Sequence, residues 1–173
     1  IMQQYILQTP RLILRPLTAA DAEEVFIWCS DPLVNRFMPY ALYTKTEDVR
    51  RWLETVEKNE KQYEFGFVCK ENNRLIGSGG IGPAEDNTQW EIGYNLRSDC
   101  WNQGYATEAA KAMIDFAYQE FDIHDFGANH AVANPASGRV MEKCGMYFDH
   151  YGEYSRFDGS ETFPAKFYKL HLD

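Results

Sequence analysis

Two different spacings of hydrophobic residues divide the first part of the chain into a strand and two helices. From Ile6 to Leu17 apolar and polar residues alternate, with Leu12 and Leu14 on one face, which predicts a first strand. Apolar residues three and four positions apart then predict a helix from Ala22 to Cys29 and a second helix, from Val49 on, that ends near Asn59 or Glu60.

Both helices are preceded by the spacing of a capping box. Thr18 with Asp21, and Thr44 with Glu47, place a hydroxyl three residues before a carboxylate, so that each side chain can accept a backbone N–H at the helix start. The segment 31–43 between the helices carries two prolines and several aromatic residues. It predicts a short irregular helix and a loop that could wall a pocket.

The middle of the chain reads as three strands. Tyr63–Lys70 and Arg74–Pro83 alternate around Asn72-Asn73, which predicts a hairpin, and Gln89–Leu96 is the next strand. Arg74–Pro83 contains four glycines. Because glycine weakens a strand, this richness indicates a bulge or a closely approaching ligand.

The last third predicts one long helix, a strand, a short helix and a hairpin. These elements span Tyr105–Phe121, Asp125–Ala133, Asn134–Cys144 and two strands, Met146–Phe157 and Thr162–Leu172. The full order is βααβββαβαββ. It predicts a single α/β (α+β) domain over residues 1–173, with a mixed central sheet of about seven strands.

Composition narrows the functional classes. The chain has 173 residues, 45% of them hydrophobic, and a net charge of −9, with no basic face of the kind that nucleic-acid binding needs. The acidic balance is compatible with a cationic substrate and equally with simple solubility. No apolar run approaches the roughly 20 residues of a membrane span. We therefore expect a cytoplasmic protein without nucleic-acid or membrane partners.

The cysteines and histidines do not predict a metal site. The four cysteines lie far apart and form no Cys-x-x-Cys pair, and the four histidines show no ligand spacing. We expect free thiols and no bound metal.

The stretch between the strand Gln89–Leu96 and the helix Tyr105–Phe121 is the strongest candidate for a ligand site. A helix start offers unpaired N–H groups and partial positive charge, which suit a phosphate, and Gly104 permits close approach to the backbone. The stretch lacks the Gly-Lys-Ser/Thr of a phosphate loop and the three glycines of a dinucleotide fingerprint. On this pattern alone, a plain strand-to-helix turn explains it equally well.

Three stretches of sequence resemble one family. Residues 101–106 fit Arg/Gln-x-x-Gly-x-Gly/Ala, the acyl-CoA pyrophosphate loop of the GNAT N-acetyltransferases, except that Trp101 stands at the first position. The longer run Trp-x-x-Gly-Tyr-Ala-Thr-Glu-Ala resembles the RimJ/RimL (ribosomal-protein N-terminal acetyltransferase) branch. Residues 9–15 and 134–146 resemble that branch too, with Met146 in place of phenylalanine. The element order is also that of the GNAT fold.

The resemblance implies transfer of an acetyl group from acetyl-CoA to the primary amine of a protein N-terminus or a small molecule, by a monomer or homodimer. A backbone N–H near the end of the strand at Leu96 would stabilise the oxyanion. The residues that it places at acetyl-CoA are Leu96, Gln103, Gly104, Tyr105, Ala106, Thr107 and Asn134.

Two residues are candidates for catalysis under this resemblance. Glu91 lies in the strand where many GNAT enzymes place a glutamate that relays the amine proton through water; alternatively it is a surface carboxylate or only attracts a cationic acceptor. Ser137 matches the serine near the CoA sulfur and is otherwise a helix residue. The usual tyrosine acid is replaced by Met141. A CoA-binding sensor or scaffold without turnover therefore remains the alternative, followed by a nucleotide-binding structural module.

Overall fold

The computed structural model of the chain describes residues 4–173, which form one eight-stranded sheet with helices on both faces. The strand order is β1-β2-β3-β4-β5-β6-β8-β7, and every neighbouring pair is antiparallel except β5 and β6, which run parallel. The strands are β1 (Leu7–Gln8), β2 (Leu12–Pro16), β3 (Tyr63–Cys69), β4 (Arg74–Pro83), β5 (Trp90–Leu96), β6 (Asp125–Ala131), β7 (Tyr147–Ser155) and β8 (Thr162–His171).

The predicted first strand is two strands, which raises the count from about seven to eight. Thr9 turns the chain back: its N–H donates to the Leu12 carbonyl and its hydroxyl accepts the Leu12 N–H, both at 2.9 Å. Pro10 lies in this turn and has no N–H to give to a ladder. The faces of the second strand were predicted correctly, since Leu12 and Leu14 are both fully buried.

Five helices pack on the sheet, and their starts follow the prediction only in part. They are α1 (Ala22–Cys29), α2 (Pro32–Asn35), α3 (Thr46–Lys58), α4 (Tyr105–Phe121) and α5 (Pro135–Lys143). The Asp21 carboxylate accepts the Thr18 N–H at 2.9 Å, as the first capping box requires. The second box is wrong, because α3 starts after Lys45 without a side-chain cap and Glu47 pairs with Arg50 instead.

The two faces of the sheet bury separate hydrophobic cores. Strand residues such as Phe65 and Phe67 pack with α4 around Met113. Val68, on the opposite face, packs with α1 and α3 around Trp28. Since alternate residues of a strand share a face, Glu64 and Val68 lie on the α1/α3 side of the sheet.

The glycines of β4 mark a bulge and close backbone packing. Phe67 pairs with Gly77 and Val68 with Leu75, so Ile76 has no partner on β3. A Cβ atom on Gly77 would lie 2.4 Å from the Asn95 carbonyl oxygen of β5. The bulge predicted from the sequence is confirmed.

Candidate active site

A cleft opens between the two parallel strands. β5 and β6 are in register at only two pairs, Trp90 with Phe126 and Glu91 with Gly127. Beyond them β5 continues to Leu96 without pairing to β6. The edge of β5 that faces the cleft therefore presents backbone groups that no strand satisfies, and such an edge can take an extended ligand with amide groups.

The N-terminus of α4 lies just past the end of β5, as the sequence predicts. Gly104 precedes the helix with φ of +83°, a conformation that glycine adopts without strain. The first intrahelical acceptor there is the Gly104 carbonyl, which receives the Glu108 N–H at 3.0 Å. The amides of the first helical turn before Glu108 are left without intrahelical partners, so the electrostatics favour an anion.

Arg11 of the turn before β2 contacts this loop and the first turn of α4. Its guanidinium donates to the Gln103 carbonyl and to Glu108 Oε1, each at 2.8 Å, and lies 4.3 Å from the centre of the Tyr105 ring. Burial alone would raise the pKa of Glu108, but hydrogen bonds from the Thr9 hydroxyl and from Arg11 lower it. The sequence analysis missed Arg11, although it lies in one of the stretches that resemble the family.

Trp101, which departs from the family pattern, has a defined structural role. Its indole N–H donates to the Leu96 carbonyl at 3.1 Å and so ties the loop to the last residue of β5. The side chains of Leu96 and Tyr105 are buried in the core, and Ala106 packs against it. Leu96 and Tyr105 would therefore meet a ligand through their backbones, whereas Ala106 is half-buried. Gln103 is exposed, and its amide donates to the Asp99 carbonyl at 3.4 Å.

Two hydroxyl groups meet across the cleft. The Tyr94 hydroxyl of β5 donates to the Ser137 carbonyl at 2.9 Å and lies 3.2 Å from the Ser137 hydroxyl in the first turn of α5. Burial raises the pKa of Tyr94, so its hydroxyl stays protonated at neutral pH. Met141 of the same helix is buried in the core. Sequence reasoning missed Tyr94, which is three positions beyond Glu91 on the same strand.

The remaining predicted residues of this region, Asn134 and Thr107, lie at the N-terminal ends of α5 and α4. Asn134 is the residue before α5 and makes no side-chain capping bond, so its partly buried amide is not committed to the helix. Thr107 lies in the first turn of α4, and its carbonyl faces the Cys144 thiol at 3.9 Å. Cys144 and the other three cysteines are free thiols.

Glu91 lies where the cleft begins. It forms the last registered pair with β6, and its side chain is exposed on the α1/α3 side of the sheet. Partial burial raises its pKa, and the negative charges of Asp86 and Glu85 raise it further. The position suits a carboxylate that meets a cation at the cleft.

The segment 31–43 supplies a wall on that same face. Asn95 of β5 donates to the Tyr40 hydroxyl at 2.8 Å and accepts from the Ser78 hydroxyl at 2.9 Å. The end of the β7–β8 hairpin anchors the segment, because Arg156 donates to the Met38 carbonyl at 3.0 Å and the Phe157 N–H to the Pro39 carbonyl at 2.8 Å.

Within residues 4–173, no group of three or more His, Cys, Asp or Glu side chains is arranged to hold a metal ion. Nor does that part of the chain contain a helix with the length and hydrophobicity to cross a membrane.

A mixed sheet that splits between two parallel strands, beside a helix start whose electrostatics favour an anion, offers a site for a long ligand with phosphate groups. Residues 11–147 match the family described as "Acetyltransferase (GNAT) domain". The chain belongs to the GNAT acetyltransferases, and it is an acetyl-CoA-dependent acyltransferase by class.

One sequence relative and two solved structures illustrate what this chain is similar to. The uncharacterized protein YkkB of Bacillus subtilis is 33% identical over 148 residues, covering 82% of this chain and 85% of its own. A GNAT-family acetyltransferase from Bacillus anthracis superposes with a TM-score of 0.86 at 26% identity, over 96% of this chain and 98% of that one. A putative ribosomal-protein-serine acetyltransferase from Vibrio cholerae has a TM-score of 0.84 at 19% identity, over 99% and 100% of the two chains.

Proposed function

We propose that this protein transfers the acetyl group of acetyl-CoA to a primary amine that approaches from the α1/α3 side of the sheet. The observation that carries the proposal is the cleft between β5 and β6, whose free strand edge ends at the helix start after Gly104. The pantetheine amides would pair with this edge and the pyrophosphate would lie at the first turn of α4. Gln103, Thr107 and Asn134 would contact the same ligand.

The acceptor that the site suits best is a cationic amine. Glu91 is exposed beside the cleft, the Tyr40 phenol lies on the same face, and the chain carries a net charge of −9. The three stretches that resemble the RimJ/RimL branch support a peptide N-terminus as the amine, and the fold of the Vibrio cholerae protein is consistent with that branch. Small-molecule amines are the other outcome of the test below.

The sulfur of acetyl-CoA would face Ser137 and Tyr94. Direct attack by a neutral amine needs alignment, an oxyanion donor and a hydrogen bond to the departing thiolate. A backbone N–H near Leu96, on the free edge of β5, is the proposed oxyanion donor. The paired hydroxyls of Ser137 and Tyr94 take the place of the tyrosine that Met141 replaces, and no covalent enzyme intermediate is required.

The experiment that tests this function is release of free CoA thiol from acetyl-CoA with a panel of amines. The panel contains a peptide with N-terminal serine, N-α-acetyl-lysine amide, spermidine and an aminoglycoside. We expect acetylation of at least one amine, identified by mass spectrometry. Tight acetyl-CoA binding without transfer to any member would contradict the proposal and favour a CoA sensor or scaffold. Equal competition by adenine nucleotides would favour a nucleotide-binding module.

Replacing Ser137 by alanine should lower kcat by roughly ten- to a hundredfold, because one hydrogen bond to the developing thiolate is lost. The acceptor KM should change little. Steady-state and single-turnover rates with the fastest panel amine check this prediction.

Tyr94→Phe provides the matched comparison, since it removes the other hydroxyl of the pair 3.2 Å away. If the two hydroxyls act as one unit, the double variant should be no slower than roughly the slower single variant. Wild-type rates in both variants would show that Ser137 is only a helix residue.

A further inference from the structure

A second carboxylate, in a different strand from Glu91, reaches the face from which the amine would approach. Glu64 of β3 pairs with Gly80 of β4, and Gly80 pairs with Gly93 of β5. The three residues form a row straight across the sheet on its α1/α3 side. A Cβ atom on Gly80 would lie 2.5 Å from Glu64 Oε1, so the carboxylate lies directly over the β4 backbone. Glycine at position 80 makes this placement possible.

The same row is open at its β5 end. A Cβ atom on Gly93 would meet no atom within 4 Å, so there is empty space above β5 next to the Glu64 carboxylate. The neighbouring row is filled, because the Gln62 side chain covers Gly82 at 2.3 Å from its Cβ position. Gly93 is also beyond the last residue of β5 that pairs with β6, and therefore borders the cleft. In this row the open position at Gly93 therefore lies between Gly80, which Glu64 covers, and the cleft where the thioester would lie.

Within residues 4–173, the Glu64 carboxylate is not held in place by another polar group. Among the residues that the structure describes, none forms a hydrogen bond or ion pair with its carboxylate. Burial raises the pKa of Glu64 to about 7. Glu64 is partly buried, and a partly buried carboxylate without a hydrogen-bond partner costs folding free energy; such groups are concentrated at functional sites.

The charged and titratable groups around Glu64 do not neutralise it. Arg15 of β2 lies on the same face but is held by Asp21 at 2.9 Å from two nitrogens. From the segment 31–43, burial raises the pKa of the Tyr40 phenol, with smaller contributions from nearby Cys29 and Glu64. Glu91 is two residues from Gly93 along β5, about 7 Å away by strand geometry. Within residues 4–173, the face therefore presents two carboxylates and a phenol, and its Arg15 guanidinium is already paired with Asp21.

We infer that Glu64 accepts the proton of the attacking amine, whereas Glu91 attracts the cationic acceptor to the cleft. The inference rests on the proposed function, because it assigns a residue role within amine acetylation. It follows from the row Glu64–Gly80–Gly93 and from the open space at its end. Glu91 as the proton relay stays a prediction, and the same experiment decides between the two carboxylates.

The chemistry balances with these groups alone. The ammonium N–H passes its proton to a Glu64 oxygen, and the nitrogen lone pair then forms a bond to the thioester carbonyl carbon. As the C–S bond breaks, its electron pair leaves with the sulfur, and the second nitrogen proton ends on that thiolate. Glu64 returns its proton to solvent after release of the amide and CoA.

The test compares Glu64→Gln with Glu91→Gln from pH 6 to 9, using the panel amine with the greatest kcat/KM. With a lysine-like amine, wild-type kcat/KM should rise up to pH 7 and then level off, because ionised Glu64 accepts the proton of the bound ammonium. Glu64→Gln should have a kcat at least roughly a hundredfold lower at pH 7 and a kcat/KM that keeps rising to pH 9, since only free neutral amine then reacts. With an α-amine, the loss should shrink near pH 8. Affinity for acetyl-CoA should stay unchanged.

The control variants should behave differently. Glu91→Gln should keep the rise that ends near pH 7 and show a raised acceptor KM that fades with salt. Glu153→Gln, at an exposed position of the outer strand β7, should match wild type. If Glu91→Gln instead abolished the rise while Glu64→Gln kept it, the assignment would be overturned in favour of Glu91. A salt-dependent KM effect with intact kcat in Glu64→Gln would also overturn it.

Thermal unfolding gives a readout that needs no turnover. Because the pKa of Glu64 is higher in the folded than in the unfolded protein, wild type should lose stability as pH rises from about 4.5 through 7. Glu64→Gln should lack this loss and melt at a higher temperature than wild type at pH 8. Identical pH dependence in both proteins would overturn the assignment. If wild type acetylated no amine, the proposed function itself would be contradicted. If wild type acetylated an amine but the two proteins had the same pH dependence of unfolding, only the role of Glu64 would be contradicted.

Discussion

Gly104→Val is expected to raise the KM for acetyl-CoA far more than tenfold, which corresponds to more than about 1.4 kcal/mol of lost binding free energy. Gly104 has φ of +83°, and a Cβ atom there would lie 3.1 Å from an Arg11 guanidinium nitrogen. A valine must therefore move the loop, displace Arg11 or both, and it brings a branched side chain to the helix start that would hold the pyrophosphate. Acetyl-CoA binding by calorimetry and KM by thiol release measure the effect.

Gly159→Val is the matched control for this variant. Gly159 has φ of +75° in the β7–β8 hairpin, and a Cβ atom there would meet nothing within 4 Å. The backbone strain is comparable, about 1–3 kcal/mol, but the position is remote from the loop. We expect lower stability in both variants and weaker acetyl-CoA binding in Gly104→Val alone. Unchanged affinity in a folded Gly104→Val protein would refute the assignment of the loop.

Gly77→Ala is expected to be the most destabilising single-methyl change in the sheet, by about 3 kcal/mol, or a fall of ~10 °C in Tm. The added carbon would lie 2.4 Å from the Asn95 carbonyl oxygen and 2.6 Å from Leu96 Cδ2. The nearest atom belongs to the backbone of β5, so relief requires separation of β4 from β5. Differential scanning calorimetry or denaturant unfolding measures the loss.

Gly93→Ala makes the same chemical change in the same strand pair without the clash. Its Cβ position is empty within 4 Å, and we expect a change of no more than about 0.5 kcal/mol in unfolding free energy. Similar losses in both variants would mean that glycine is needed in these strands for a reason other than close backbone packing.

Local patterns predicted the elements because each element is dictated largely by its own residues. α4 begins and ends at the predicted Tyr105 and Phe121, and the last hairpin turns at Gly159 as predicted. The errors arose where the pattern was weak or ambiguous. Alternation from Ile6 to Leu17 could not show the reversal at Thr9, and Thr44 lies one residue before the observed N-cap position, Lys45.

Only the part of the candidate site that lies in contiguous sequence motifs was predicted from the sequence. The loop at Gly104 was found because its residues are contiguous and resemble a known family. The contacts that complete the site join distant positions: Arg11 reaches Glu108, Tyr94 reaches Ser137, and Glu64 lies over Gly80. The first two depend on how a helix packs on the sheet and the third on the register of β3 and β4, so no local spacing encodes these contacts. In the sequence, the glycines of β4 were the signal that other groups approach this strand closely; in the structure these include the Glu64 side chain over Gly80.

The short ladder between β5 and β6 also has a mechanical consequence. Within residues 4–173, two residue pairs form the whole ladder between β5 and β6. This ladder joins the five strands β1 to β5 to the three strands β6, β8 and β7. A cosubstrate with amide groups, lying in the cleft, would add hydrogen bonds along the free edge of β5 and so restrain the two halves of the sheet. Slowed hydrogen exchange at the β5 amides from Gly93 to Leu96 would then report cofactor loading directly.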